Sequence, residues 1–201
     1  GGSIVYTATT SNPVTGSALV VTLSNGQTIT IPVGQSSANS APWAVRGDDA
    51  YAQGTQTLNV TATGTTGGNF EAVTRSGTAT TTVADDADAT TVTITASTAN
   101  VAEGGSITYT ASVNNAVTGT PLAITLSNGQ TITIPVGQSS ATSAVFAVRA
   151  DDAYAQGTQT LNVGISSISG GNYEALTTTS TASTTVTDDA DATTVTISTA
   201  T

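Results

Sequence analysis

Leu122-Ala123-Ile124-Thr125-Leu126-Ser127-Asn128-Gly129-Gln130-Thr131-Ile132-Thr133-Ile134 is the stretch on which the reading of the fold turns. Two runs that alternate apolar and small or hydroxyl-bearing side chains flank an Asn-Gly pair. Period-two alternation places the apolar residues on one face of a strand. Asn-Gly is the strongest short-range signal for a tight hairpin between two such strands. The segment therefore reads as a β-hairpin with one buried face.

Working outward, the hairpin is one of two. Leu23-Ser24-Asn25-Gly26-Gln27-Thr28 recurs as Leu126-Ser127-Asn128-Gly129-Gln130-Thr131, an offset of 103 residues. Gly1-Gly2-Ser3-Ile4 recurs at Gly104, Asp48-Asp49-Ala50-Tyr51 at Asp151, and Asp85-Asp86-Ala87-Asp88 at Asp188, each with the same offset of 103. A gapless period of that size is one structural unit, close to an immunoglobulin-like sandwich. In the complete repeat, strand signals fall at 91–95, 106–113, 122–126, 131–134, 142–148, 159–165 and 180–187. Helical periodicity is absent. The expected fold is all-β, with tandem immunoglobulin-like seven-stranded β-sandwiches stacked end to end.

The units fall out of phase with the numbering. Residue 1 matches residue 104, where the second strand opens, so residues 1–88 read as a repeat lacking its own first strand. Residues 89–191 read as a complete repeat, and 192–201 as the first strand of a following unit, since 193–198 matches 90–95. An arbitrary boundary is one explanation. Strand donation by residues 193–201 to a neighbouring copy is the other.

Composition narrows the function. The 201 residues include 13 acidic side chains, three arginines, no lysine, no histidine and no cysteine, for a net charge of −10. Such a chain is repelled by nucleic acid and by anionic membrane surfaces, so its natural small partners are cations. No apolar run is long enough to span a membrane as a helix. Aromatics make up only 4% of the residues, so each core is thin and would profit from a staple. Disulfides, thiolate metal sites and lysine–asparagine crosslinks are all excluded by composition. The acids are the remaining candidates.

In a sandwich of alternating strand directions, Glu103 lies in the turn after the first strand. Asp151 and Asp152 lie in the loop between the fifth and sixth strands, and Asp188, Asp189 and Asp191 close the seventh. Three separate stretches thus bring six carboxylates to one pole. The counterparts in the first repeat are Asp48, Asp49, Asp85, Asp86 and Asp88. Two unit charges about 5 Å apart repel by roughly 3 kcal/mol at an effective dielectric of about 20. A hard cation relieves that repulsion. An all-oxygen set without His or Cys favours Ca²⁺ or Mg²⁺ over zinc or copper, and Ca²⁺ tolerates the looser geometry. The competing reading is a solvated acidic surface.

The remaining residues have structural readings. Tyr51 and Tyr154 are expected to pack at the corner between the fifth and sixth strands. Trp43, Phe146, Tyr6 and Tyr109 read as core or edge packing, and Arg46 and Arg149 as ion-pair partners of the acidic loops. Gly170-Gly171-Asn172-Tyr173-Glu174 forms a turn at the opposite pole, where Asn172 or Glu174 is a candidate to complete a junctional site with Asp88. The sequon Asn59-Val60-Thr61 has no counterpart in the second repeat, which weakens it as a glycosylation site.

Three motifs together carry a resemblance: Glu103-Gly104, then Asp151-Asp152-Ala153-Tyr154-Ala155-Gln156-Gly157, then Asp188-Asp189-Ala190-Asp191. Their order resembles Calx-β domains, and resembles still more the immunoglobulin-like extender repeats of large RTX-type bacterial biofilm adhesins. The likeness covers nearly the whole of each repeat. It implies Ca²⁺ held at junctions with neighbouring repeats of the same chain, export by a type I secretion system to the bacterial cell surface, and a stalk role in cell adhesion. Calx-β patterns usually carry Glu where this chain has Gln53 and Gln156, so one ligand is lost or becomes neutral there.

A rival to the stalk is an adhesive module recognising glycans or another surface. Such modules carry unique loops with exposed aromatics, whereas these loops repeat almost unchanged. Catalysis is disfavoured: only carboxylate and hydroxyl chemistry remains, and adjacent Asp pairs suit a cation better than a spaced glycosidase pair.

Overall fold

Residues 1–200, which the computed structural model describes, form strands and turns, with no helix among the described residues. They separate into two units, one of residues 1–49 and 53–86, the other of 50–52 and 87–200.

The first unit contains β1 (Ser3–Ile4), β2 (Thr7–Thr9), β3 (Leu19–Leu23), β4 (Thr28–Ile31), β5 (Ser37–Asn39), β6 (Trp43–Ala44), β7 (Gln56–Gly67) and β8 (Thr78–Val83). Four of these form a sheet in the order β4-β3-β7-β8, while β1 pairs β6 and β2 pairs β5. Tyr6, Val14, Leu19, Ile29 and Ile31 are among its buried core residues.

The second unit contains β9 (Ala89–Ala96), β10 (Asn100–Ala102), β11 (Ser106–Ile107), β12 (Tyr109–Val113), β13 (Leu122–Leu126) and β14 (Thr131–Ile134). It continues with β15 (Ser140–Thr142), β16 (Phe146–Ala147), β17 (Gln159–Ser169), β18 (Ala175–Thr177) and β19 (Thr181–Thr187). A five-stranded sheet, β10-β19-β17-β13-β14, and a four-stranded one, β15-β12-β9-β18, supply the core residues. Val92 and Ile94 of β9 and Tyr109, Ala111 and Val113 of β12 share one cluster with Ile124, Leu126, Ile132, Ile134 and Val163. The alternation that wrote the strands also fills the core. In β9 every second residue is buried, and Thr90 at the first of these positions donates nothing to the apolar contact but is held by Asn115 Nδ2 at 2.9 Å.

The decisive hairpin forms between β13 and β14. Gly129 takes the left-handed conformation, at φ +84°, while Asn128 keeps a negative φ. The Gly129 N–H donates to Leu126 at 3.0 Å, the Leu126 N–H donates to Gln130, and the Gln130 N–H donates to Asn128 Oδ1. The turn is thus a type I-like bend closed by a glycine bulge.

Two of the seven expected strands are interrupted. The segment 106–113 breaks at Thr108, and 142–148 breaks at 143–145. Serine hydroxyls are the cause, because they substitute for ladder carbonyls. The Tyr109 N–H donates to Ser143 Oγ at 3.0 Å, and that hydroxyl donates to Ala144 at 2.7 Å; Ser97 Oγ accepts likewise from the Thr108 N–H. Two short strands were not legible: β10 runs parallel to β19, and β18 runs parallel to β9.

The tyrosine expectation is corrected. Tyr154 is 77% exposed, because its loop is held by carboxylate hydrogen bonds rather than by the ring. Tyr51 groups with the second unit instead of packing in the corner of its own repeat. Tyr6 and Tyr109 are buried as read, and Phe146 lies tilted against Tyr109 with ring centroids 6.3 Å apart.

Removing part of the sealed core tests the packing. Ile124→Ala is expected to destabilise the second unit by about 2–5 kcal/mol in urea melts, whereas the exposed Val145→Ala stays within about 0.5 kcal/mol of the parent.

Candidate metal centre

Glu103 follows β10 directly, and its position is set by backbone before side chain. Its N–H donates to Thr187 at the end of β19, and the Gly104 N–H donates to Arg149. Gly104 has φ +71°, and a Cβ there would lie 2.8 Å from Asp151 Cβ. Glycine at 104 is what lets the loop carrying Asp151 close over the turn carrying Glu103.

The Glu103 side chain is fully buried. Arg149 Nε donates to its Oε2 at 2.9 Å, and Arg149 Nη2 donates to Asp188 Oδ1 at 3.2 Å. Glu103 Oε1 is buried with no hydrogen-bond partner. A buried carboxylate oxygen without a donor is costly. Burial, together with the neighbouring Asp188 carboxylate, holds the Glu103 carboxyl above its ordinary pKa against the opposing pull of Arg149.

Asp188 behaves differently. Burial pushes its pKa up, but the N–H of Gln156, the Glu103 carboxyl, the N–H of Gly157 and the Arg149 guanidinium outweigh burial and hold it below the usual range. The two N–H contacts to Oδ2 are 2.8 and 3.3 Å. Asp152 is likewise occupied within its loop: Oδ1 accepts from the Tyr154 N–H at 2.8 Å, and Oδ2 accepts from Gln156 Nε2. The neutral side chain at 156 therefore clamps an acid.

Glu103, Asp151 and Asp189 come together, each offering an oxygen within 4.8 Å of the others. Oxygens at about 2.3–2.6 Å from one calcium-sized ion lie up to roughly 5 Å apart, so this spacing suits a shared hard cation. Asp151 is raised above its ordinary pKa, first by the charge of Asp191, then by Asp189, burial and Asp152. These residues can hold a metal ion. Of the six acids expected at this pole, the structure gathers three as a donor set, brings Asp191 within electrostatic reach of Asp151, and engages Asp152 and Asp188 in loop hydrogen bonds.

The first unit repeats the scaffold. Arg46 Nη2 pairs with Asp85 Oδ1 at 2.8 Å, Asp85 Oδ2 accepts from the N–H groups of Gln53 at 2.6 Å and Gly54 at 3.1 Å, and Gln53 Nε2 donates to Asp49 Oδ2. A groove of about 380 Å³ in the first unit is bordered by Asp48, Asp85 and Asp86. Asp88 lies in the second unit, where its N–H donates to Glu174 Oε2 at 2.6 Å.

Both arginines form the ion pairs read from sequence. The dual grip of Arg149 on Glu103 and Asp188 was missed, because spacing along the chain does not reveal which two acids one guanidinium will span.

The second unit is an all-β repeat whose most organised chemistry is an acid cluster braced by arginine. Residues 1–87 and 88–190 each match the LapA domain. The chain belongs to the LapA domain family. LapA is a large biofilm adhesin of bacteria, so this is a region of a biofilm and cell-adhesion protein of the cell surface. No curated protein matches the chain.

Titration tests the electrostatics. The folded-state pKa values of Asp151 and Glu103 are raised, so without metal the ionised pair weakens the fold as pH rises above the usual carboxylate range toward neutrality. Asp188 has the opposite sign, and its contribution is lost as pH falls through and below that range. Asp151→Asn in chelator is expected to flatten the decline toward neutral pH and leave the acid limb unchanged, as read from melting temperature against pH.

Proposed function

We propose that this chain is a calcium-rigidified extender of a secreted bacterial surface adhesin, and that it has no catalytic role. The observation that carries the reading is the sealed Glu103 carboxylate, whose Oε1 has no protein donor and stands with Asp151 and Asp189 in an all-oxygen set. A protein donor would have completed an ordinary buried ion pair. A hard cation completes this one, offsets the charge that raises Asp151, and binds the folded state alone.

Calcium fits better than magnesium because the donors come from three loosely spaced stretches, which do not impose a strict octahedron. In this reading the tandem units are immunoglobulin-like, and bound ions hold neighbouring repeats of the chain in an extended stalk. Repetition of the same scaffold in both units supports a spacer over a recognition module, whose contact loops would differ. Export by a type I system follows from the adhesin class and rests on the same reading.

Calcium at a hundred times its dissociation constant is expected to stabilise the binding unit by about 2.7 kcal/mol, seen as a rise in melting temperature that chelator reverses. Glu103→Gln and Asp189→Asn should each abolish most of that rise, while Thr80→Ala keeps it. Small-angle scattering should show a more extended particle with calcium than in chelator. Melting curves that ignore calcium would refute the site, and unchanged scattering with an intact thermal response would refute the stiffening role alone.

A further inference from the structure

In the second unit the segment that enters the fold and the segment that leaves it run side by side in the same direction. β9 pairs in parallel with β18, Ala89 beside Ala175 and Thr91 beside Thr177. Beyond the point where both segments change sheets, β10 pairs in parallel with β19, Val101 beside Val186. Side-chain hydroxyls continue the pairing across that change. Ser180 Oγ accepts from the Ile94 N–H at 2.9 Å and donates to the Ile94 carbonyl at 3.1 Å, and Thr184 Oγ1 donates to the Thr98 carbonyl at 2.9 Å. The Thr185 N–H donates to Ala99, Thr187 Oγ1 to Val101, and the Glu103 N–H to Thr187. From the Thr91–Thr177 hydroxyl pair to the Thr187–Val101 contact, the side-chain bonds keep one offset of 86 residues. Residues 89–103 and 175–187 form one continuous parallel seam.

The direction of the seam decides how it meets tension. The chain enters at Ala89, at one end of the seam, and leaves after Thr187, at the other. A pull along the chain therefore draws the two segments past each other lengthwise, and the rungs share the load. In an antiparallel pair, entry and exit would lie at one end, and the rungs would open one at a time, each contributing little. Forced unfolding is governed by the rate of the rupture step, so sharing the load across many rungs raises the force needed. The acid cluster lies at the exit end. Glu103 closes the entering segment, Asp189 follows the leaving one, and their carboxylate oxygens stand with that of Asp151 within 4.8 Å of one another.

We propose that this seam is the tension-bearing element of the unit, a clamp loaded in shear. Ser180 and Thr184 hold its middle, and an ion between Glu103 and Asp189 is its last rung. Only that last rung rests on the calcium reading of the site; the hydrogen-bonded part stands without it. A cell-adhesion region is under tension whenever the cell is drawn from its surface, and a parallel seam between entry and exit is the arrangement that resists such a pull. The ion sits where the leaving chain delivers the force, so it strengthens the rung that is loaded first.

Single-molecule pulling of the full chain in two geometries tests the clamp. The sequence has no cysteine, so handles attach only where one is introduced. Ala87→Cys with Val195→Cys loads the seam in shear. Tyr154→Cys with Val195→Cys pulls instead on the adjacent ends of the antiparallel pair β17 and β19, where Gln159 lies beside Val186, and peels β19 off rung by rung. All three positions are exposed. In chelator the shear geometry should unfold at a severalfold higher force than the peel geometry. Ser180→Ala should lower the shear force and leave the peel force nearly unchanged, because peeling starts at Val186; a merely destabilising change would lower both. Equal forces in the two geometries overturn the clamp, and so does a Ser180→Ala loss of equal size in both. Calcium should raise the shear force further, and Glu103→Gln should remove that increment. A melting temperature that rises with calcium while the shear force does not overturns the last rung and leaves the calcium site standing. If neither responds, the rung and the calcium reading both fail.

Discussion

Arg149 grips two carboxylates at once, and the acid cluster of the second unit is arranged around that grip. Glu103 is fully buried, and one guanidinium holds its Oε2 while reaching Asp188 at the end of the last strand. A buried ion pair is a weak source of net stability, since desolvation cancels much of the attraction. Its value here is positional. The turn after β10, the segment after β16 and the end of β19 are tied to one side chain, and none can shift without leaving a charge unpaired in a dry place. One arginine cannot neutralise Glu103, Asp151 and Asp189 together. The scaffold therefore fixes a surplus of negative charge instead of removing it, which is the electrostatic condition for a cation site.

The first unit repeats part of this arrangement. Arg46, Asp85 and the N–H groups of Gln53 and Gly54 reproduce the second unit's Arg149, Asp188, Gln156 and Gly157 contacts. In the second unit Arg149 gives Glu103 one N–H, at Oε2, while its Nη2 is committed to Asp188, so Oε1 has no donor from that guanidinium.

Much of the fold could be read along the chain because alternation is strict where a strand is covered on one face. The hairpin at Leu122–Leu126 and Thr131–Ile134 fell where its pattern and its Asn-Gly turn placed it. Legibility failed where a hydroxyl competes with the ladder. Ser143 and Ser97 look like ordinary outward strand residues, but their side chains accept the N–H groups that a straight strand would have paired. The parallel strands β10 and β18 were hidden for another reason: three residues are too few to show a period. At the site, residue type and the three-part convergence were readable. The division of labour among the acids was not, since Asp151 and Asp152 are neighbours in sequence and differ only in what their loops present to them.

The outward faces complete the physical picture. Thr110 and Thr142 hydroxyls meet at 3.2 Å across neighbouring strands, Thr93 and Ser112 at 2.9 Å, and Thr91 and Thr177 at 3.3 Å. Cross-strand hydroxyl pairs fix register with no apolar area on the solvent side. Threonine is β-branched, so it favours the strand as valine does while keeping its outer face wet. A sheet built this way is specific along its edges and uninviting on its faces. Edge pairing is the usual hazard of such sheets. On both edge strands of the four-stranded sheet, β15 and β18, the hydroxyl pairs tie the edge to its inner neighbour, Thr142 to Thr110 and Thr177 to Thr91.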